Sequence, residues 1–379
     1  MTSTVKSNPL TQQQILKLYL DTKNTFPENI NPELEVRFGT RNIGKISKNN
    51  FDNTIQYLLA KNFNFIDNGK YYLSVKADDI RVQIDNITNI QSYCKTNTLP
   101  NTYPIVGYSF LEKTPYTIDE SNIQARVNLD DFNLRISYSL EKNMQPESEE
   151  IQDLIKNWSS KKKFHRLINR YTLVHSDLPL KIDMSIVRQT ASATSSNIST
   201  TNIFKTIPVY EIEIELDNTR LEGYDLNMLE QIIKKTNKYI LSGLQNSNFP
   251  VSYKEINNIA SNYLNILGIK DADISPNNFI GPSSVTLQIS NISEPNPNSN
   301  IINIRNNYTV TDKADGDRKM LYINNDGKIY LINTQCIIEF TGAQTNNDDL
   351  FNTILDGEHI KHNKLGTFIN LYAAFDIYF

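Results

Sequence analysis

The chain has 379 residues, 21% of them charged and 39% hydrophobic, with a net charge of −4. That length suits on the order of two or three domains, and the slightly acidic balance excludes a general polycation, so any polyanion must be met by positive charge focused in a cleft or tunnel. Two cysteines, Cys94 and Cys336, make neither a disulfide framework nor a thiol zinc site. No run of about 18 apolar residues offers a membrane span, and the opening MTSTVKSNPL lacks the apolar segment of a secretory leader.

Residues 11–24 read as a helix, with Thr11 as N-cap and Ile15, Leu18 and Tyr19 at helical spacing. "PELEVRFG" (32–39) alternates strictly and reads as a strand. Ser47 to Lys61 is a second helix, carried by Phe51, Ile55, Leu58 and Leu59. From Tyr71 to Glu215 most segments read as strands: "YYLSV", "DIRVQID", "GYSFLEKT", "FNLRISYSLEK", "HRLINRYTLVH", "LKIDMSIVR" and "VYEIEIELD". One helix, Ser148 to Trp158, interrupts them, and the low-complexity stretch 189–202 reads as a mobile loop. Helices follow at 222–243 and 252–267. A Pro/Asn/Ser-rich stretch, 275–300, then leads into further strands from Ile301.

The acidic strands carry the chemistry. Glu33, Glu35 and Arg37 share one face of the first strand; Glu211, Glu213 and Glu215 share one face of "YEIEIELD"; the opposite faces are apolar. Carboxylates at i and i+2 lie roughly 7 Å apart and repel by roughly 2 kcal/mol at an effective dielectric near 20. One such strand is an ordinary amphipathic strand with its charges in water. Two of them suit a divalent cation, since hard cations take several carboxylate oxygens.

The intervening strands add Arg81, Lys113, Arg135, Glu141, Arg166, Arg170, Lys181 and Asp183. Each base alone reads equally as an exposed residue. Together, strands with one charged and one apolar face predict a closed antiparallel barrel with a polar lumen and helices outside. Acids from two strands then hold a metal and bases from the others hold a polyanion.

Glu-x-Glu-x-Arg followed by Glu-x-Glu-x-Glu resembles the triphosphate tunnel metalloenzymes, in the branch of the RNA 5′-triphosphatases of fungal and viral mRNA capping. Farther on, Lys313-Ala-Asp-Gly-Asp-Arg318 resembles the covalent guanylyltransferases of the same pathway. The order of these motifs is similar to that in capping enzymes of giant cytoplasmic DNA viruses of the mimivirus kind. The resemblance implies an α+β chain: an antiparallel β-barrel tunnel with flanking helices, followed by a partial nucleotidyltransferase domain. It implies that Glu33, Glu35, Glu213 and Glu215, assisted by Glu211, hold Mg²⁺ or Mn²⁺. Arg37, Arg81, Lys113, Arg135, Arg166, Arg170 and Lys181 would bind the triphosphate. Catalytic roles fall to Arg81, Lys113, Arg170, Asp183 and Glu141. Where the family alternates base-x-base-x-base, this chain has Ile168 in the middle place.

In the second motif the resemblance makes Lys313 the nucleophile toward GTP, which requires burial or nearby positive charge to keep its amine neutral. Asp315, Gly316, Arg318, Glu358 of "LDGE" and Phe375 of "AAFD" would contact GTP, with Phe375 against the guanine. Expected domains are 1–247 (triphosphatase), 248–300 (helix and linker) and 301–379 (the first part of a guanylyltransferase whose later motifs are absent). Implied partners are 5′-triphosphate RNA, GTP or other NTPs and a capping methyltransferase, without a membrane; the implied location is the cytoplasmic viral replication compartment or the virion. Three alternatives stay open: a polynucleotide ligase fragment, a non-catalytic RNA-end-binding or docking module, and a tunnel enzyme acting on free NTP or tripolyphosphate.

Overall fold

The computed structural model describes residues 10–39, 44–101, 104–118, 123–190, 197–198, 202–270, 272–283, 285–295, 297–298, 300–310 and 313–379. Most of the low-complexity stretch 189–202 lies outside them, as do residues 311–312 just before Lys313. The chain divides into two units, Met1–Asn246 and Ser247–Phe379.

In the first unit the strands are β1 (Ile30–Phe38), β2 (Asn64–Ala77), β3 (Ile80–Asp85), β4 (Tyr108–Pro115), β5 (Thr117–Ile118), β6 (Ile123–Gln124), β7 (Arg126–Leu129), β8 (Leu134–Met144), β9 (Lys163–Val174), β10 (Leu180–Gln189) and β11 (Val209–Leu216). The helices are α1 (Gln12–Thr22), α2 (Lys48–Leu59), α3 (Ile87–Thr96), α4 (Glu149–Lys156) and α5 (Leu226–Gln245). A nine-stranded sheet runs β1-β11-β10-β9-β2-β3-β4-β8-β7, and an added pairing of β1 with β8 closes eight of these strands into a barrel. Every pairing around the ring is antiparallel. β7 lies outside the ring, against the half of β8 that β4 leaves unpaired.

Alternation decides which side chains meet the helices. Leu34, Val36 and Phe38, with Ile212, Ile214, Ile182, Met184, Ile136 and Tyr138, point outward into one core with α1, α2 and α5. Leu73, Val75, Val82, Ile84 and Phe110 form a second core with α3, α4 and Trp158. Each fully buried aliphatic or Phe side chain contributes about 1.5–3 kcal/mol, so the outer faces drive closure. Caps set the helix starts: Thr11 makes a reciprocal capping box with Gln14, and Ser47, Ser148 and Asp225 cap α2, α4 and α5. Gly243 permits the α2–α5 crossing, because a Cβ there would lie 2.5 Å from the Thr54 Cα.

One helix escapes the sequence reading. α3 is short and flanked by asparagines; Asn86 caps it and Asn97 ends it in the left-handed conformation. Its Ile90 and Tyr93 are nonetheless fully engaged in the second core. Beneath it, His165 and Lys163 of β9 are wholly buried on the outer barrel wall. The His165 Nε2 lies 3.3 Å from the Tyr93 hydroxyl, and the Lys163 ammonium sits 4.9 Å over the Trp158 ring.

The second unit is a five-stranded antiparallel sheet ordered β14-β13-β12-β15-β16. Its strands are β12 (Asp317–Ile323), β13 (Lys328–Asn333), β14 (Ile338–Gln344), β15 (Thr353–His362) and β16 (Phe368–Ile377). Helix α6 (Tyr253–Ile266), which the sequence reading put with the linker, packs Ile259, Tyr263 and Leu264 onto Met320, Tyr322, Tyr330 and Ile354 of this sheet.

Burial, and then the Lys163 charge, push the His165 imidazole down from 6.5 to about 4. The unfolded chain therefore binds the proton first, and the stability this group contributes is present above pH 6.5 and lost as pH falls toward 4. We expect denaturant unfolding to show a loss of up to about 3 kcal/mol across that window, with a flatter profile in His165→Leu.

Candidate active site in the barrel lumen

The face left inside the barrel is the charged one. On β1 the inward residues are Glu33, Glu35 and Arg37; on β11 they are Glu211, Glu213 and Glu215. Register places Glu35 opposite Glu215 and Arg37 opposite Glu213. Across the next strand Glu215 faces Lys181, Glu213 faces Asp183 and Glu211 faces Ser185. Ser185 in turn faces Arg170 on β9. On the other side of β1, Glu33, Glu35 and Arg37 face Ser139, Ser137 and Arg135 of β8, whose Glu141 faces Lys113 of β4.

Sequence reasoning expects the acids to repel until a cation neutralises them. The structure corrects this: the bases of neighbouring strands already do so. Lys113 Nζ contacts Glu33 closely, Glu35 at 3.1 Å and Glu141 at 3.7 Å. Arg37 meets Glu213 at 2.5 Å and Glu35 at 3.9 Å. Arg170 meets Asp183 at 2.9 Å and Glu213 at 3.8 Å. Lys181 meets Glu215 at 2.9 Å, Arg166 meets Glu211 at 2.6 Å, and Arg81 approaches Glu141 at 3.9 Å. Among the described residues no group of three or more His, Cys, Asp or Glu side chains is arranged to hold a metal ion.

Electrostatics follow from this pairing. Burial works against ionised Glu213, but Arg37 and then Arg170 overcome it and hold the carboxyl below the usual range. Burial likewise opposes the Lys113 charge, and Glu35 and Glu33 outweigh it, so the amine is raised. Glu215 is the exception: burial, and then the charge of Glu33, push it up to about 7 despite Lys181.

The sequence reading misses several lumen groups. Ser137 Oγ donates to Glu35 at 3.1 Å and Ser139 Oγ to Glu33 at 3.4 Å; both share the inward face of β8 with Arg135 and Glu141, so alternation alone could have found them. Thr172 Oγ1 donates to Asp183 at 2.7 Å. Ile168, the interruption in the basic strand, joins Tyr72 and Val187 in a small buried apolar cluster, and the Tyr72 ring lies 5.6 Å from the Arg170 guanidinium. Arg135 donates through Nε to Asn128 of β7 at 2.9 Å. A cavity of about 260 Å³ opens between Glu35, Arg37, Arg81, Lys113, Arg126 and Arg135. Two guanidinium nitrogens, Nε of Arg37 and of Arg166, are buried with no hydrogen-bond partner among the described residues.

The second unit answers differently to its expectations. Lys313 is exposed, and among the described residues its ammonium meets only the Ala314 carbonyl, at 3.3 Å; the burial expected of a neutral amine is not there. Arg318, expected on the sugar or the RNA end, instead grips the fully buried Asp356 through Nε and Nη2 at 3.1 and 2.6 Å. The same guanidinium lies 5.6 Å from the Phe279 ring and 5.9 Å from Phe375. Phe375 is 57% exposed. Asp315 is exposed. Glu358 pairs opposite Arg318 in register. Gly316 is required for close approach, since a Cβ there would lie 2.8 Å from the His359 carbonyl oxygen.

Asp183 is only 3% exposed and ties Arg170 and Thr172 together. Removing one member of a buried pair leaves the other uncompensated, at a cost of about 3–5 kcal/mol. We expect Asp183→Ala to destabilise the barrel by that order in denaturant titration, and Asp183→Asn, which keeps an acceptor for Thr172, by less.

No protein-family model matches the chain. It is similar to a probable mRNA-capping enzyme of Acanthamoeba polyphaga mimivirus, 31% identical over 170 residues, which is 45% of this chain and 12% of that protein. Among solved structures it is similar to the RNA triphosphatase domain of a trifunctional mimivirus mRNA capping enzyme, at 18% identity over 61% of this chain and 99% of that chain, with a TM-score of 0.41. An RNA triphosphatase of S. pombe matches at 14% identity over 62% of this chain and 94% of that one, with a TM-score of 0.38. The closed barrel itself rests on the strand pairings of this chain. The chain thus spans only about an eighth of the length of the probable capping enzyme that it resembles.

Proposed function

We propose that the barrel is a polynucleotide 5′-triphosphatase of mRNA capping, removing the γ-phosphate from 5′-triphosphate RNA. The observation that carries this is a lumen rich in paired acids and bases in which the buried Nε atoms of Arg37 and Arg166 have no acceptor among the described residues. Phosphate oxygens are suitable acceptors for both. Similarity to a probable capping enzyme supports the same reading.

In this reading Arg37, Arg81, Lys113, Arg135, Arg166, Arg170 and Lys181 bind the triphosphate and neutralise charge on its oxygens. Glu33, Glu35, Glu213 and Glu215, with Glu211 beside them, hold Mg²⁺ or Mn²⁺, which when bound neutralises further charge on the phosphates. Asp183 fixes Arg170 in place. Glu141, between Lys113 and Arg81, takes a proton from the attacking water. Water oxygen bonds to the γ-phosphorus in line as the bond to the β-bridging oxygen breaks, giving inorganic phosphate and a diphosphate RNA end. Phosphoryl transfer needs mainly positioning and charge stabilisation, and a lumen of fixed ion pairs provides both. Free NTPs fit the same chemistry. Soluble action in a viral replication compartment or virion, beside a capping methyltransferase, accords with this role.

The second unit, in the same reading, is the first part of a guanylyltransferase with Lys313 as nucleophile toward GTP. In the ligand-free chain Lys313 is exposed and Arg318 is engaged by Asp356.

We expect Glu33→Ala and Glu213→Ala each to lower metal-dependent release of labelled γ-phosphate from triphosphate RNA by about a hundredfold or more, with circular dichroism unchanged. Wild-type rates in both would refute the assignment. With α-labelled GTP, a covalent GMP adduct that is lost in Lys313→Ala would support Lys313 as the nucleophile, and an adduct retained in that variant would refute it.

A further inference from the structure

Lys113 has an unusual place in the lumen. It stands on β4, which does not pair with β1, yet its side chain reaches past β8 to the carboxylates of β1. Its ammonium touches Glu33, Glu35 and Glu141 together. One positive charge thus serves three carboxylates, and Arg81, at 3.9 Å from Glu141, is the next base to that group. Ser137 and Ser139 steady Glu35 and Glu33 from the neighbouring strand, so the two carboxylates stay aimed at one point whatever cation occupies it.

We propose that Lys113 Nζ holds the place of a divalent cation between Glu33 and Glu35 in the ligand-free chain and withdraws when the cation enters. The inference rests on the proposed triphosphatase reading for the cation, Mg²⁺ or Mn²⁺, and for a phosphate chain in the lumen. An ammonium on a flexible four-carbon stem can leave and return, whereas a guanidinium as broad as that of Arg37 could not fit and vacate the same point. Two cations cannot share two carboxylates at contact distance, so they compete. The displaced ammonium needs a new anion. Glu141 is already in reach, and a phosphate chain in the lumen would supply another. Divalent cation and phosphate therefore strengthen each other's binding through one lysine, and by linkage the effect is reciprocal. An empty barrel stays neutral and folded, and the metal is held firmly only when there is phosphate to hold.

The test is Mn²⁺ affinity measured by electron paramagnetic resonance on the full chain without RNA. Lys113→Gln should bind Mn²⁺ at least tenfold more tightly than wild type, and Lys113→Arg, which keeps the charge, should not. Equal or weaker binding by Lys113→Gln overturns the proposal. The unaltered chain gives a second measurement, free of any folding defect in the variant. Acetylation of Lys113 by an anhydride, followed by mass spectrometry, should quicken when Mn²⁺ is added, and an unchanged rate counts against the proposal. A chain that releases phosphate from RNA but fails both measurements refutes this inference alone. A chain that passes both and releases no phosphate refutes the triphosphatase reading and leaves the lysine's place-holding role intact.

Discussion

The whole first unit depends on opposite charges meeting across strand pairs inside a closed barrel. Seven acids or so could not be enclosed otherwise, because an uncompensated buried carboxylate costs several kcal/mol. Register supplies the partners: Arg37 beside Glu213, Lys181 beside Glu215, Glu141 beside Lys113. A slip by one residue in any strand would turn its charges into the helix-facing cores and its aliphatic side chains into the lumen. The ion pairs thus contribute less to net stability than to uniqueness of register, while the two outer cores supply the driving force.

That division of labour explains what could be read in advance. Strands β1, β8, β9, β10 and β11 show clean alternation, and alternation is the signal that periodic reasoning recovers. It placed the acids and bases on a common face without any knowledge of their partners. Pairing partners were not legible, because cross-strand neighbours are far apart in sequence; nothing in "GYSFLEKT" announces that Lys113 reaches Glu33. Helix α3 was not legible either, since its ten residues are hidden among turn-forming asparagines and owe their stability to Ile90 and Tyr93 in a tertiary core. The apolar group of Tyr72, Ile168 and Val187 could be seen in sequence only as the loss of a base at Ile168; in space it is a dry support beside Arg170.

The second unit shows the limit of a motif. Lys-x-Asp-Gly-x-Arg was legible as a string. The placement of Arg318 was not. A guanidinium bidentate to a buried aspartate, with the Phe279 and Phe375 rings within 6 Å, is held by geometry that no local spacing reveals. Its first effect is structural, joining β12 to β15, and any ligand that calls on Arg318 must compete with Asp356.

The pairing of β1 with β11 also has a consequence for synthesis. Glu35 meets Glu215, so nearly the entire barrel sequence separates the two strands that seal it. During translation β1 can dock on β8, but its other edge has no partner until β11 emerges. At ribosomal speeds that edge stays open for roughly ten to forty seconds. An edge strand in that state could recruit any passing strand, and its alternating glutamates, repelling a second copy of themselves, would protect the nascent chain until the barrel can close.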